Sequence, residues 1–263
     1  MVDFAQFAFT EEPNTQEIFN GKLKKIINKV DHTKDLFLDI IGTNQKHGLE
    51  DLFCSPSQVE NALCLLIVGH NPSEKSWQRG HYYANPANRM WSLLKLGNIV
   101  PSTFIHENDV DCPSECGVGF IDLMSGIPET KSSSFSFSDM AIWKKSLYHR
   151  IESHISRVSR NMDKSLIDSC PKVIAFAGVR QWKALFPAKY KFHVDTSSIN
   201  MENFITKEVG TKRKYPLFDK ECKTSSEKSI FGIQRIRPPD WPKALGSCIV
   251  FVLPSSSGAA ALV

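Results

Sequence analysis

Four short apolar runs punctuate the chain: ALCLLIVG (62–69), GVGFIDLM (117–124), KVIAFAG (172–178) and SCIVFVLP (247–254). Runs of this length, without polar alternation, suit strands buried on both faces, as in a parallel sheet. Three of the four end at Gly or Pro, residues that stop a strand. Helical patterns lie between the runs. Residues 87–97 follow the turn at Asn85-Pro86. Residues 139–168 follow the N-cap types Ser138 and Asp139 and set Leu147, Ile151, Ile155 and Val158 on one stripe. Residues 179–186 follow Gly178. Strand–helix alternation predicts an α/β fold around a central, mostly parallel, four-stranded sheet.

Before the first strand the pattern changes. Residues 14–31 place Ile18, Leu23, Ile26, Ile27 and Val30 on roughly one helical face, and 33–41 suit a second short helix. Residues 43–60 read as loop. The expected organisation is a helical N-terminal extension over 1–60 and a main domain over 61–263. Within that domain, residues 187–246 mix charge with aromatics and predict an insertion.

The 263 residues carry a net charge of +4, a mildly basic balance that permits a nucleic-acid partner without requiring one. The N-terminus has acids early and no long apolar core, so neither a secretory signal nor a membrane span is expected. The seven cysteines are irregularly spaced. Cys64, Cys170 and Cys248 sit in or beside apolar runs and are expected to be small core residues of a reducing compartment. Cys112 and Cys116 lack the second nearby pair that a zinc or iron–sulfur site needs, so no metal is expected.

In open parallel sheets, ligands bind at the carboxyl ends of the strands. Three such ends carry unusual residues: Gly69-His70-Asn71-Pro72, Asp122, and Pro254-Ser255-Ser256-Ser257-Gly258. Asn71 offers a carbonyl acceptor and two donors and does not titrate, so it can hold a water without deprotonating it; an ordinary Asn-Pro turn is the alternative. Tyr82 and Tyr83 offer flat faces for stacking, or else core packing, just after the permissive Gly80. Arg89 and Trp91 are expected to be structural. The serine run suits a phosphate, or is a solvated turn. No nucleotide-binding glycine loop and no G-x-S-x-G elbow occurs.

Taken together, VGHNPS…GHYYANPANRMW, GVGFIDLM, CPKVIAFAG and VLPSSSGAA resemble the mismatch-specific uracil/thymine-DNA glycosylase family of the uracil-DNA glycosylase superfamily. That family shows G-I-N-P-G, then G-[HF]-x-[FY]-x-x-P-x-N-R-F-W, and later [LM]-P-[NS]-x-S-[GA]; order and spacing match over about residues 62–263. RPPDWP (237–242) is a further point of likeness. The resemblance implies a three-layer αβα domain that acts on double-stranded DNA as a monomer, without cofactor or metal. It implies that Asn71 positions the attacking water and that Tyr83 stacks on the flipped base. Gly69, His70 and Ser73 would line the base pocket through backbone groups, with Asp122 of the neighbouring strand end beside them; the His70 side chain would contact a uracil oxygen or else be structural. Ser255, Ser256, Ser257, Gly258 and Ala259 would grip the backbone and enter the minor groove. The compartment implied is the nucleus of a eukaryote or the cytoplasm of a bacterium.

The chain departs from the family pattern at named positions. His70 replaces Ile, Ser73 replaces Gly, Val179 replaces Lys, and Ala259 stands where a larger wedge is usual. A further helix usually follows the last motif, so a product of reduced stability is expected. Two readings result: a monofunctional glycosylase that excises uracil, with thymine as second candidate, chiefly opposite guanine; or a DNA-binding module that keeps the fold without the chemistry. Intact Asn71 favours the first; Ala259 and the end of the chain favour the second. No lysine stands at the Asn71 position, so a Schiff-base lyase step is not implied.

Overall fold

The computed structural model describes residues 49–56, 58–190 and 231–257. Both predicted N-terminal helices lie outside them. The four apolar runs form strands β1 (Leu65–Gly69), β2 (Val118–Asp122), β3 (Val173–Phe176) and β5 (Ile249–Val252). They pair in parallel, and β4 (Gly232–Gln234) adds an antiparallel edge, so the order is β2-β1-β3-β5-β4. The sheet therefore has five strands rather than the expected four. The fifth comes from the region read as an insertion; three residues at an edge are too short to leave an apolar run.

Alternation along the strands separates two cores. Leu66, Val68 and Ile121 face one side, with Leu147, Ile151 and Ile155 of helix α5 (Lys144–Met162) and Trp182 of α6 (Val179–Lys183). Ile67, Val118 and Phe120 face the other, with Met90, Trp91 and Leu94 of α2 (Met90–Leu96) and Cys112 of α3 (Cys112–Glu115). Helices on both faces of a parallel sheet make the expected three layers.

Two local expectations shift. The helix expected from Ser138/Asp139 starts earlier, as α4 (Phe137–Ile142), because Ser136 is the cap and Asp139 closes the capping box from the third position. The pattern then breaks briefly at Trp143, and α5 stops at Asp163, short of the expected 168. Cys170 and Cys248 are buried, but Cys64 is exposed at the start of β1, not in the core.

Residues just ahead of β1 are part of this packing. Leu52 exchanges backbone hydrogen bonds with Phe120 (2.8 and 3.0 Å), which covers the outer edge of β2. Phe53 enters the first core and stacks on His154. Trp241 of RPPDWP joins an aromatic cluster with Tyr148 and Trp182. Among the described residues no helix is long and apolar enough to cross a membrane.

Candidate active site

The parallel register puts the ends of β1, β2, β3 and β5 on one edge, with Gly69 directly beside Asp122. This is the convergence the strand ends predicted. Gly69 has a steric reason to be glycine: a methyl there would lie 2.0 Å from Asp122 Oδ1 and 3.0 Å from the Tyr83 hydroxyl. Beyond β1 the Gly69 and His70 carbonyls accept from the amides of Leu123 and Met124 (3.0 and 2.9 Å), so the pairing continues into the loop.

The Asn71 side chain is held on all sides. Its Nδ2 donates toward the carbonyls of Pro72 (3.0 Å), Ile127 (3.2 Å) and Glu129 (2.8 Å). A flipped amide would set its oxygen against three oxygens, so the carbonyl end must face away from them. There Oδ1 meets His70 Nδ1 at 2.5 Å. The other ring nitrogen of His70 lies 2.9 Å from Met140 Sδ, and the ring tilts against Phe135. Burial pulls the His70 pKa below its ordinary value; the Asn71 bond opposes this and the nearby Arg180 cation adds to it.

Ser73 caps α1 (Glu74–Arg79), accepting from the Ser76 amide at 3.2 Å and donating to the Ser76 hydroxyl. Its side chain is thereby committed to starting that helix. After α1 the chain turns at Gly80 and presents Tyr82 and Tyr83, which separate in role. Tyr82 is core: it stacks on Phe120 and its carbonyl accepts from Trp91 Nε1 (2.9 Å). Trp91 is structural, as expected. Tyr83 sits at φ 54°, a left-handed conformation rare for an aromatic residue. It is half-buried, edge-on to Phe120, with its hydroxyl buried beside Gly69 and without a protein partner.

A further hold on this loop is Asp109, fully buried, whose carboxylate accepts from His81 Nδ1 (2.8 Å) and from the Tyr82 amide (2.6 Å). Sequence reasoning missed both Asp109 and His81. The pair spans 28 residues and neither lies in a recognisable motif with the other.

Asp122 is buried, and burial pushes its carboxyl up to about 7; Asp51 adds to the rise and Arg150 counters it. Arg150 of α5 pairs with Asp51 (2.7 Å) and donates to the Asp122 carbonyl (2.8 Å), which ties the end of β2 to α5. Near neutral pH this carboxyl can therefore be a donor when protonated or an acceptor when ionised.

At the end of β5, Ser255 and Ser257 are exposed and Ser256 is buried. The Arg89 amide donates to the Ser256 carbonyl (2.8 Å) and its guanidinium to the Ser257 carbonyl (3.3 Å), so the loop leans on the start of α2. Gly258 and Ala259 lie outside the described residues. Val179 opens α6 and packs against the first core. Among the described residues, no three His, Cys, Asp or Glu side chains are grouped so as to hold a metal ion. The chemistry this edge offers is a fixed neutral amide, a carboxyl that titrates near 7, a half-exposed aromatic ring and a hydroxyl-rich loop.

Comparison with known proteins gives the arrangement its context. The family model described as "Uracil DNA glycosylase superfamily" matches residues 56–261. The G/U mismatch-specific uracil DNA glycosylase of Schizosaccharomyces pombe (strain 972 / ATCC 24843) is 28% identical over 113 residues. That stretch is 42% of this chain and 32% of the yeast protein, so the match spans about a third of that relative's length.

Proposed function

Because the chain belongs to the uracil DNA glycosylase superfamily, we propose that it is a monofunctional DNA glycosylase that removes uracil from duplex DNA, chiefly opposite guanine, through a water held on Asn71. The observation that carries this reading is the Asn71 amide, two residues beyond Gly69 and locked by the Ile127 and Glu129 carbonyls; Gly69 itself lies against Asp122 and Tyr83. A base inside a duplex is out of reach, so it must first leave the stack, which costs a few kcal/mol for a paired base and less for a mismatch. In this reading the Tyr83 ring stacks on it, and the exposed serines after β5 meet the phosphates.

With the base held, the glycosidic bond loosens and positive charge develops on the sugar, as in other glycoside hydrolyses. Asn71 Oδ1 orients a water toward that carbon but does not take its proton, so turnover is slow. The departing uracil carries negative charge. Asp122 in its protonated form, accessible with a carboxyl near 7, can donate to it. The work would take place in the compartment that holds the genome.

The test is a cleavage assay on oligonucleotides holding U·G, U·A, T·G and single-stranded U, with Asn71→Ala as control. The expected result is excision from U·G that the variant lacks. Equal background for both proteins on every substrate would sink the reading; salt-sensitive duplex binding without excision would support the DNA-binding module instead. T·G excision decides whether thymine belongs to the substrate range.

A further inference from the structure

We propose that His70 is a positioning residue for the water step: its Nδ1–H locks the carbonyl end of Asn71 and makes that step sensitive to acid. The inference rests on the glycosylase reading and deepens it. It begins from the fixed direction of the Asn71 amide. With Nδ2 committed to three carbonyls, Oδ1 is an acceptor, and an acceptor 2.5 Å from a ring nitrogen requires a proton between them. His70 is therefore the Nδ1–H tautomer. The bond uses one of the two lone pairs on Oδ1 and leaves the second to hold water.

The same geometry removes His70 from direct contact with the base. Its Nε2 lies against Met140 Sδ (2.9 Å), and the ring packs on Phe135. Nδ1 is bonded to Asn71 and Nε2 is covered by the thioether, so neither nitrogen is free to meet the base. Its part is to hold Asn71, not to touch substrate.

Acid sensitivity follows from what faces the ring. Asn71 comes from the strand-end loop, Phe135 from the loop before α4, Met140 from α4 and Arg180 from α6; of these only Arg180 is charged, and its charge disfavours a cation on His70. A proton added to Nε2 would meet only a thioether, a weak acceptor. It would also set a positive charge against Asn71 Oδ1, drawing electron density from the oxygen that holds the water. The neutral ring is the competent form. His70 loses that form as pH falls through a value below its ordinary 6.5, because burial has lowered it.

The experiment measures single-turnover excision of uracil from a U·G duplex with the full chain across pH 5–8, together with duplex affinity, for wild type, His70→Ile, His70→Gln and Asn71→Ala. Wild type should show an acid limb below pH 6.5 that His70→Ile lacks. Any limb from Asp122 is common to both and cancels in the comparison. At pH 8 His70→Ile should be slower by about tenfold, the value of one hydrogen bond, with duplex affinity unchanged. His70→Gln, whose amide can donate to Oδ1, should recover most of that rate without the acid limb. Superimposable profiles, or a loss confined to affinity, would overturn the proposal. Imidazole nitrogen NMR gives a readout independent of activity: Nδ1 protonated at pH 8, with a shift in Asn71→Ala, is expected, and the Nε2–H tautomer would overturn it. Wild type that excises nothing overturns the glycosylase reading and this inference with it. An active wild type with an indifferent His70→Ile overturns this inference alone.

Discussion

Gly69 shows how much rests on single atoms at the strand edge. Adding one methyl there puts it well inside van der Waals contact with Asp122 Oδ1 and against the Tyr83 hydroxyl. Gly69→Ala should therefore displace both groups, cost about 1–3 kcal/mol of stability and lower uracil excision; denaturant unfolding and the cleavage assay check it. Asp122 carries a cost of another kind. A solvated aspartate ionises near pH 3.9, whereas this one holds its proton to about 7. Between those values the unfolded chain binds fewer protons than the folded one, so stability falls as pH rises through that window. Asp122→Asn should gain up to about 4 kcal/mol at pH 8 and almost nothing at pH 4, measured by urea unfolding at the two values. A buried carboxyl kept at such a cost fits a functional role. The sequence could point to Asp122 as a strand-end acid. It could not show that its pKa is raised, because Asp51 and Arg150 come from 71 positions before it and 28 after it in the chain.

At the scale of elements, the loop from Gly80 to Ala84 is held in part by a buried carboxylate, Asp109. Asp109→Ala would leave the Tyr82 amide and His81 without their acceptor, at a cost of roughly 2–3 kcal/mol. Amide hydrogen exchange should then quicken at Tyr82 while the Leu66 amide in β1 keeps its protection; equal change at both would mean global destabilisation instead. Element boundaries were partly legible. The stripe of Leu147, Ile151 and Ile155 marks α5 well, because burial on one helical face repeats every 3.6 residues. The cap was read two residues late, because Ser136, Ser138 and Asp139 are all good capping types and only the reciprocal bonds single out Ser136. The strand Gly232–Gln234 was not legible at all: it exists through its pairing with β5, not through any preference of its own three residues.

For the whole molecule, the parallel sheet brings the strand ends to one edge, the edge that the proposed reading assigns to DNA. Duplex binding should weaken by about tenfold or more between roughly 50 and 200 mM salt, through release of counterions from the phosphates contacted. A fluorescence titration at the two salt concentrations measures this, and salt-independent affinity would count against a phosphate-tracking surface. Ser255 and Ser257 are the exposed hydroxyls on that edge; Arg89 holds the loop that carries them.

The amino-acid sequence by itself determined the four buried strands, the α/β alternation and the list of residues at the strand ends. Those features follow from local apolar continuity and from Gly, Pro and Asn at the breaks. Only the tertiary structure decided what those residues do to one another. Asn71 becomes a fixed acceptor because the carbonyls of Ile127 and Glu129, more than fifty positions away, take its amide. His70 turns from a departure in a motif into the partner of Asn71 because Met140 and Phe135 close around its ring. Hydrogen bonds and desolvation act through space over a few ångströms, so pairings between distant positions leave no periodic trace along the chain.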